Sequence, residues 1–221
     1  MQSNFSFIPN QSRFFEVETL SGRYISLLRQ NGVEIQSEPE RVREAFATLT
    51  PQEQDSYLKR LDFAYHCASV SVAENTNLMR DKRFVWRTLL ELKARPPMDL
   101  LEHIQENDYV EIYDFNGIQH FANFEFCRLI SYTLEETLLY PWHVLYQRDE
   151  AVAEKIFAAV DQCAKREKGP FKPDIPLHEC HELKSGTGRI FQVEMKMFSP
   201  ILDQTGQKGF LLATSKIQRL N

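Results

Sequence analysis

The chain has 221 residues, 43% hydrophobic and 26% charged, with a formal net charge of −5; this is an ordinary globular composition that allows one large domain or two small ones and argues against extensive disorder. Neither half is basic, which disfavours a duplex-binding footprint and so nucleic acid as a partner. No apolar run approaches the roughly 18 residues of a membrane span, and no basic stretch leading into an apolar one marks a secretory signal, so the expected setting is cytoplasmic.

The polar opening MQSNFSFIPNQS is expected to fray or drape over the rest. Arg13 to Leu28 alternates loosely around Ser21-Gly22 and reads as a small hairpin, with Asn31-Gly32 turning the chain before Val33 to Gln36. Ser37 and Glu40 have capping-box spacing, and Val42, Ala45, Phe46 and Leu49 follow at helical intervals. Thr50-Pro51-Gln52-Glu53 starts a second helix running to about Val72. Asn77 to Ala94 reads as a third, with Leu78, Val85, Leu89 and Leu92 on one stripe and Arg80, Arg83 and Arg87 on another. Because that segment is not basic overall, the arginine row reads as a solvated face paired with neighbouring acids. Pro96-Pro97 ends it, and Met98 to Gln105 makes a short amphipathic helix with Leu100, Leu101 and Ile104 apolar.

Tyr109 to Asp114 and Ile118 to Ala122 read as strands around a turn at Phe115-Asn116-Gly117. Asn123 is placed to cap a short helix from Phe124 to Ile130, and Thr133 with Glu136 forms a second capping box. A long helix follows from Asp149 to Arg166, with Val152, Ala153, Ile156, Ala159, Val160 and Cys163 on one stripe. Gly169 to Leu183 is irregular and then strand-like, and Lys184 to Gly188 is a turn. Phe191, Val193, Met195 and Met197 alternate with polar residues, so the apolar set is expected to share one buried face. Asp203-Gln204-Thr205-Gly206 makes the next hairpin loop, and Gly209 to Ile217 is the last strand.

Asp114 and Gly117, Asn123 closing the second strand, Ser131-Tyr132-Thr133-Leu134-Glu135-Glu136, and Asp149 opening the long helix together resemble the Per-Arnt-Sim (PAS) sensor family over about Asn107 to Gln218. The resemblance implies an α+β fold: a five-stranded antiparallel PAS-like sheet over residues 107–221 with helices on one face, preceded by a mainly helical extension over residues 1–106. It implies that a small apolar or amphipathic ligand would pack between the inner sheet face and the helices. The candidate lining comprises the strand residues Ile112, Phe121, Phe191, Val193, Met195, Leu211 and Ala213, and Phe126, Leu129, Trp142, His143, Ile156 and Val160 from the helical segment. Helices flanking such domains often mediate pairing, which makes Leu100, Leu101 and Ile104 candidate contacts of a homodimer.

The familiar cofactors of the family have no anchor here. The long helix carries no His for a haem axial ligand, although His143 lies just before it. Tyr140 to Leu145 stands where flavin-binding members carry Asn-Cys-Arg-Phe-Leu-Gln, and it has no Cys. Neither haem nor flavin is therefore expected. His178-Glu179-Cys180-His181 is dense in metal-type ligands, but on a strand successive residues face opposite ways, so a closed metal site is not expected either. Cys67, Cys127, Cys163 and Cys180 are widely spaced and read as reduced packing residues. Lys216-Ile217-Gln218 replaces the Asp-Ile-Thr that commonly leads to an output domain, so a signal is expected to leave through the N-terminal helices or by contact with a signalling partner.

The expected function is a non-enzymatic sensory module. Two alternatives stand beside it: a dimerising adaptor with a filled core and no ligand, and an enzyme on a related α+β fold, which would require a buried carboxylate or His in the cavity.

Overall fold

The computed structural model describes residues 9–79, 82–165, 169–184, 186 and 188–221. Its centre is an antiparallel sheet of β1 (Tyr109–Asp114), β2 (Gln119–Ala122), β3 (Tyr146–Arg148), β4 (His178–Glu182), β5 (Ile190–Leu202) and β6 (Lys208–Arg219), in the order β2-β1-β6-β5-β4-β3. The β1–β2 turn forms because Asp114 Oδ1 accepts hydrogen bonds from the backbone N–H of Asn116 (2.9 Å) and Ile118 (3.0 Å), while Gly117 supplies the φ of 79° that other residues resist. Five of these strands and their order follow the PAS-like expectation. The sixth, β3, is an addition; three residues are too few for alternation to be read.

Between β2 and β4 the chain makes α6 (Phe124–Leu129), α7 (Leu134–Leu139), α8 (Trp142–Leu145) and α9 (Glu150–Lys165). The capping box of α7 is present, with Thr133 Oγ1 accepting from Glu136 N–H and Glu136 Oε2 accepting from Thr133 N–H. Asn123 precedes α6 but does not cap it; its side-chain amide donates to Asp108 O instead. The α9 stripe packs Val152, Ile156, Ala159 and Cys163 against Phe198, Leu211 and Ala213 of the sheet.

One residue resets the parity of β5. Met195 pairs with Ser215 but Met197 pairs with Thr214, so Lys196 is an extra residue in a β-bulge. Up to Met195 the odd-numbered side chains face α6 and α9. Beyond the bulge Phe198 takes that face, and Met197 joins Ile112, Leu212 and Ile201 on the other. Met197 therefore does not share a face with Phe191, Val193 and Met195, contrary to the strict alternation of its sequence.

That other face is covered by the N-terminal helices. The segment read as a hairpin is a single helix, α1 (Pro9–Gln30). Its buried residues Phe14, Val17, Ser21, Tyr24 and Leu28 fall three or four apart, the helical repeat, and Gly22 sits in open space within it rather than turning the chain. Residues 1–8, part of the stretch expected to drape, lie outside the described residues. After a 3-10 turn at Pro39–Val42 come α2 (Arg43–Thr48) and α3 (Pro51–Ala73). Ser37 is not a cap. Its hydroxyl donates to Glu135 Oε1 (2.6 Å), while Glu38 N–H donates to Glu135 Oε2 (3.1 Å), fastening this segment to α7. Thr50 and Glu53 do form the capping box of α3.

The third helix is shorter than its pattern, α4 (Lys82–Glu91), and closes where Lys93 adopts a φ of 55°. Arg87 pairs with Glu74 and Glu91, as a solvated face should; Arg80 lies outside the described residues. In α5 (Leu100–His103) Leu100 is fully buried, and Ile104 beyond it is 2% exposed. With Leu101 packed against them, these side chains belong to the chain's own core, because the amphipathic face turns inward onto the sheet; they do not offer a pairing surface. A single hydrophobic cluster runs from Phe14 and Phe46 through Tyr57, Leu61 and Phe84 to Ile112, Phe121 and Leu212, joining residues on both sides of position 107.

Candidate ligand site

On the inner face, the sheet and helices enclose a cavity of about 150 Å³. The floor is Glu111 and Tyr113 of β1, Cys180 of β4, Phe191, Val193, Met195 and Phe198 of β5, and Leu211, Ala213, Ser215 and Ile217 of β6. The roof is Phe126 and Leu129 of α6 with Ile156, Phe157 and Val160 of α9, and β3 closes one side with Tyr146 and Arg148. Trp142 and His143, at the start of α8, stand at the mouth against Phe157, with ring centroids 5.5 and 6.5 Å away.

The β1–β2 turn seats this mouth. Gly117 O accepts a hydrogen bond from Trp142 N–H (3.2 Å), and the indole lies so close that a Cβ at position 117 would meet its Cδ1 and Nε1 at 3.2 Å.

Phe126, Leu129, Trp142, His143, Ile156, Val160, Phe191, Val193, Met195, Leu211 and Ala213 are brought together here. Ile112 and Phe121 are not: they pair across β1 and β2 and point into the N-terminal core, Phe121 against Phe84 at 5.2 Å. Because helices cover both faces of β1, its apolar residues take the densely packed side, and Glu111 and Tyr113 take the cavity.

An apolar alternation marks neither of these polar residues as lining. Glu111, 8% exposed, accepts hydrogen bonds at Oε1 from Tyr113 Oη and from Gln119 Nε2 (2.8 Å). Burial pushes its carboxyl above the usual range, against the opposing pull of Tyr113, Arg148 and Gln119. Burial likewise raises the Tyr113 phenol, and the adjacent carboxyl adds to the effect.

Arg148 lies with its guanidinium carbon 5.0 Å from the Trp142 ring centroid and 5.7 Å from that of Tyr146. Its Nε and Nη1 are sequestered from solvent without a hydrogen-bond partner, as are Tyr146 Oη and Ser215 Oγ. Alternation along β3 places Tyr146 and Arg148 on the cavity side, a signal too short to find from three residues.

The burial of β4 follows the expected parity, with His178, Cys180 and Glu182 inside and Glu179 and His181 outside. Among the described residues no group of three His, Cys, Asp or Glu side chains is arranged to hold a metal ion. Burial pushes the Cys180 thiol up to about 11, so it is a protonated wall group and not a thiolate nucleophile. The cavity is built to enclose a small body and offer it hydrogen bonds from Arg148 and Tyr146 of β3 and Ser215 of β6.

No family model and no curated protein matches the sequence. Among solved structures, the chain is similar to the PAS-B domain of Drosophila melanogaster Cycle with bound glycerol (7% identity, 50% of this chain and 99% of that one, TM-score 0.40). It is also similar to the light-state dimer of the fungal blue-light photoreceptor Vivid (14% identity, 51% and 78%, TM-score 0.36). A third is the PAS domain of a protein from Colwellia psychrerythraea (20% identity, 49% and 84%, TM-score 0.35). The PAS-like character of the fold rests on its strand order and on the helical layer between β2 and β4. Among the described residues no helix is long and apolar enough to cross a membrane.

Proposed function

We propose that this protein is a PAS-like sensory module that binds a small amphipathic molecule in the cavity beneath α6 and α9. The observation that carries the reading is the set of sequestered polar groups left without partners: Arg148 Nε and Nη1, Tyr146 Oη and Ser215 Oγ. Other buried hydroxyls of the chain, such as Ser21 Oγ and Ser199 Oγ, also lack partners; what sets the cavity apart is that its set includes a charged group and shares one open space, and leaving a charged donor unpaired costs more than the roughly 1–3 kcal/mol of a neutral one. A cavity near 150 Å³ is of the size known to hold a benzene-sized guest. Occupancy would bias the seat of Trp142 and α8, and the Ser37–Glu135 contact on neighbouring α7 offers a route to the N-terminal helices. A homodimer through those helices would use their outward faces, since Leu100 and Ile104 are taken up inside the chain; light scattering reads it directly.

The test is native mass spectrometry of freshly purified protein, with absorbance recorded on the same sample. A bound small molecule and no band above the aromatic region are expected; a haem or flavin spectrum would overturn the cofactor reading. A chain that never carries or takes up a small molecule would favour the adaptor alternative.

A second reading draws on Glu111, a buried carboxyl beside a tyrosine inside the cavity, which is the arrangement a proton-transferring enzyme would need. It requires that an added ligand be recovered chemically changed, whereas the sensor returns it intact.

A further inference from the structure

We infer that the ligand is an organic acid whose carboxylate sits on the Arg148 guanidinium and whose compact apolar body fills the rest of the cavity. This rests on the reading of the cavity as a ligand site and names the chemistry of what enters it.

The argument starts from how the polar wall groups are satisfied. Glu111, Tyr113 and Gln119 bond to one another and ask nothing of a guest. Arg148 does. Its guanidinium is a cation with Nε and Nη1 out of water and without an acceptor, and it takes part in none of the ion pairs among the described residues. Sequestered charges in proteins are paired; the counter-charge missing here is what a guest would supply.

The cation is also held ready. The Trp142 and Tyr146 rings beside it limit where its plane can turn without neutralising it, which favours a planar acceptor such as a carboxylate. Tyr146 Oη, raised far above its usual pKa by burial and so an O–H donor, is unpartnered in the same wall, and the Ser215 hydroxyl is unpartnered in the floor. Glu111 does not serve as the counter-ion: its Oε1 is taken up by Tyr113 and Gln119, and it makes no hydrogen bond to Arg148.

The remaining walls select the body of the molecule. Phe126, Phe191, Val193, Leu211 and Ile156 are apolar and offer no second cation, so a dianion or a polyol would leave its other polar groups unmatched. The volume limits the enclosed portion to about one aromatic ring.

The experiment compares two probes with one body, phenylacetate and neutral 2-phenylethanol, by isothermal titration against the full chain, Arg148→Met and Arg148→Lys. The wild type should bind phenylacetate about tenfold or more tighter than 2-phenylethanol. Arg148→Met should lower phenylacetate affinity to that of 2-phenylethanol or below, so that the preference for the acid is lost, with circular dichroism confirming the fold. Arg148→Lys, which keeps the charge but not the planar fork, should weaken phenylacetate severalfold and decides the matter if the methionine variant does not fold. Equal affinity for the two probes in the wild type overturns this inference but leaves the ligand site standing. Unchanged phenylacetate binding in the variants also overturns it. Failure of both probes to bind the wild type overturns the inference and the ligand-site reading together.

Discussion

Replacing Gly117 by alanine should destabilise the protein more than the same change at Gly206, and the difference should report how firmly the β1–β2 turn seats Trp142. Both glycines close hairpin turns at nearly the same backbone angle, φ 79° and 82°. A Cβ at Gly206 would meet nothing within 4 Å, so Gly206→Ala carries only the left-handed backbone penalty of about 1–2 kcal/mol. At Gly117 the new methyl would stand 3.2 Å from two indole atoms and 3.7 Å from His143 Nδ1, so the ring must retreat by a few tenths of an ångström. The indole cannot do so without loosening its contacts with Arg148 and Phe157, which adds about 0.5–1.5 kcal/mol. Urea unfolding followed by circular dichroism should therefore give a loss of about 1.5–3.5 kcal/mol for Gly117→Ala and about 1–2 kcal/mol for Gly206→Ala. Probe binding in the cavity should weaken only in the former. Losses that agree within about 0.5 kcal/mol, with binding unaffected in both, would refute the claim that the turn positions the cavity mouth.

Glu111→Gln should raise the melting temperature more near pH 8 than near pH 5. The folded state binds the Glu111 proton more tightly than the unfolded chain, so the benefit is complete below the ordinary carboxylate pKa and is lost as pH rises through the raised one; an equal gain at both pH values would sink this. Ser37→Ala should cost about 1–2 kcal/mol in urea unfolding, because it takes one donor from the fully buried Glu135. Glu40→Ala should leave the unfolding midpoint unchanged, since Glu40 only meets Arg43 on the surface, whereas a capping box would make the two changes comparable. Met195→Trp should lose less than about 1 kcal/mol if the indole enters the cavity, and about 1–3 kcal/mol if the space is in truth filled. Differential scanning calorimetry separates the two.

Much of the second half was legible because its local signals agree with its tertiary surroundings. Asp114 and Gly117 mark their turn and Thr133 and Glu136 mark their cap whatever packs around them. The α9 stripe has one buried side, so its period is plain. The failures share a cause. Reading one apolar face per strand presumes one covered face, but helices cover β1 on both sides, so Ile112 was given to the cavity and Glu111 overlooked. Ser21-Gly22 looks like a turn, yet Ser21 is fully buried on the inner face of α1, a burial that only the tertiary packing supplies. Ser37 has a cap's spacing from Glu40, yet its partner, Glu135, stands 98 positions away, a distance over which no local pattern carries information. Arg148 sits in a strand too short to have a period, and nothing in the sequence marks it as lacking a partner.

The extra residue at Lys196 makes β5 two strands in series, each with its own inside. Before it, polar replacements should be accepted at even positions such as Gln192 and Glu194; after it, neither parity is free, because Met197 and Ile201 serve the N-terminal core while Phe198 serves the cavity. Mutational tolerance along the strand should thus show a two-residue rhythm that stops at one point. A single-residue deletion elsewhere in the strand, innocuous in a loop, would exchange the addressees of the side chains on one side of it, whereas loss of Lys196 itself would leave Met197 opposite Thr214 and Phe198 opposite Ala213 and only flatten the bulge. Insertions and deletions among related chains should be rare within this strand and frequent at the Asp203–Gly206 turn just beyond it.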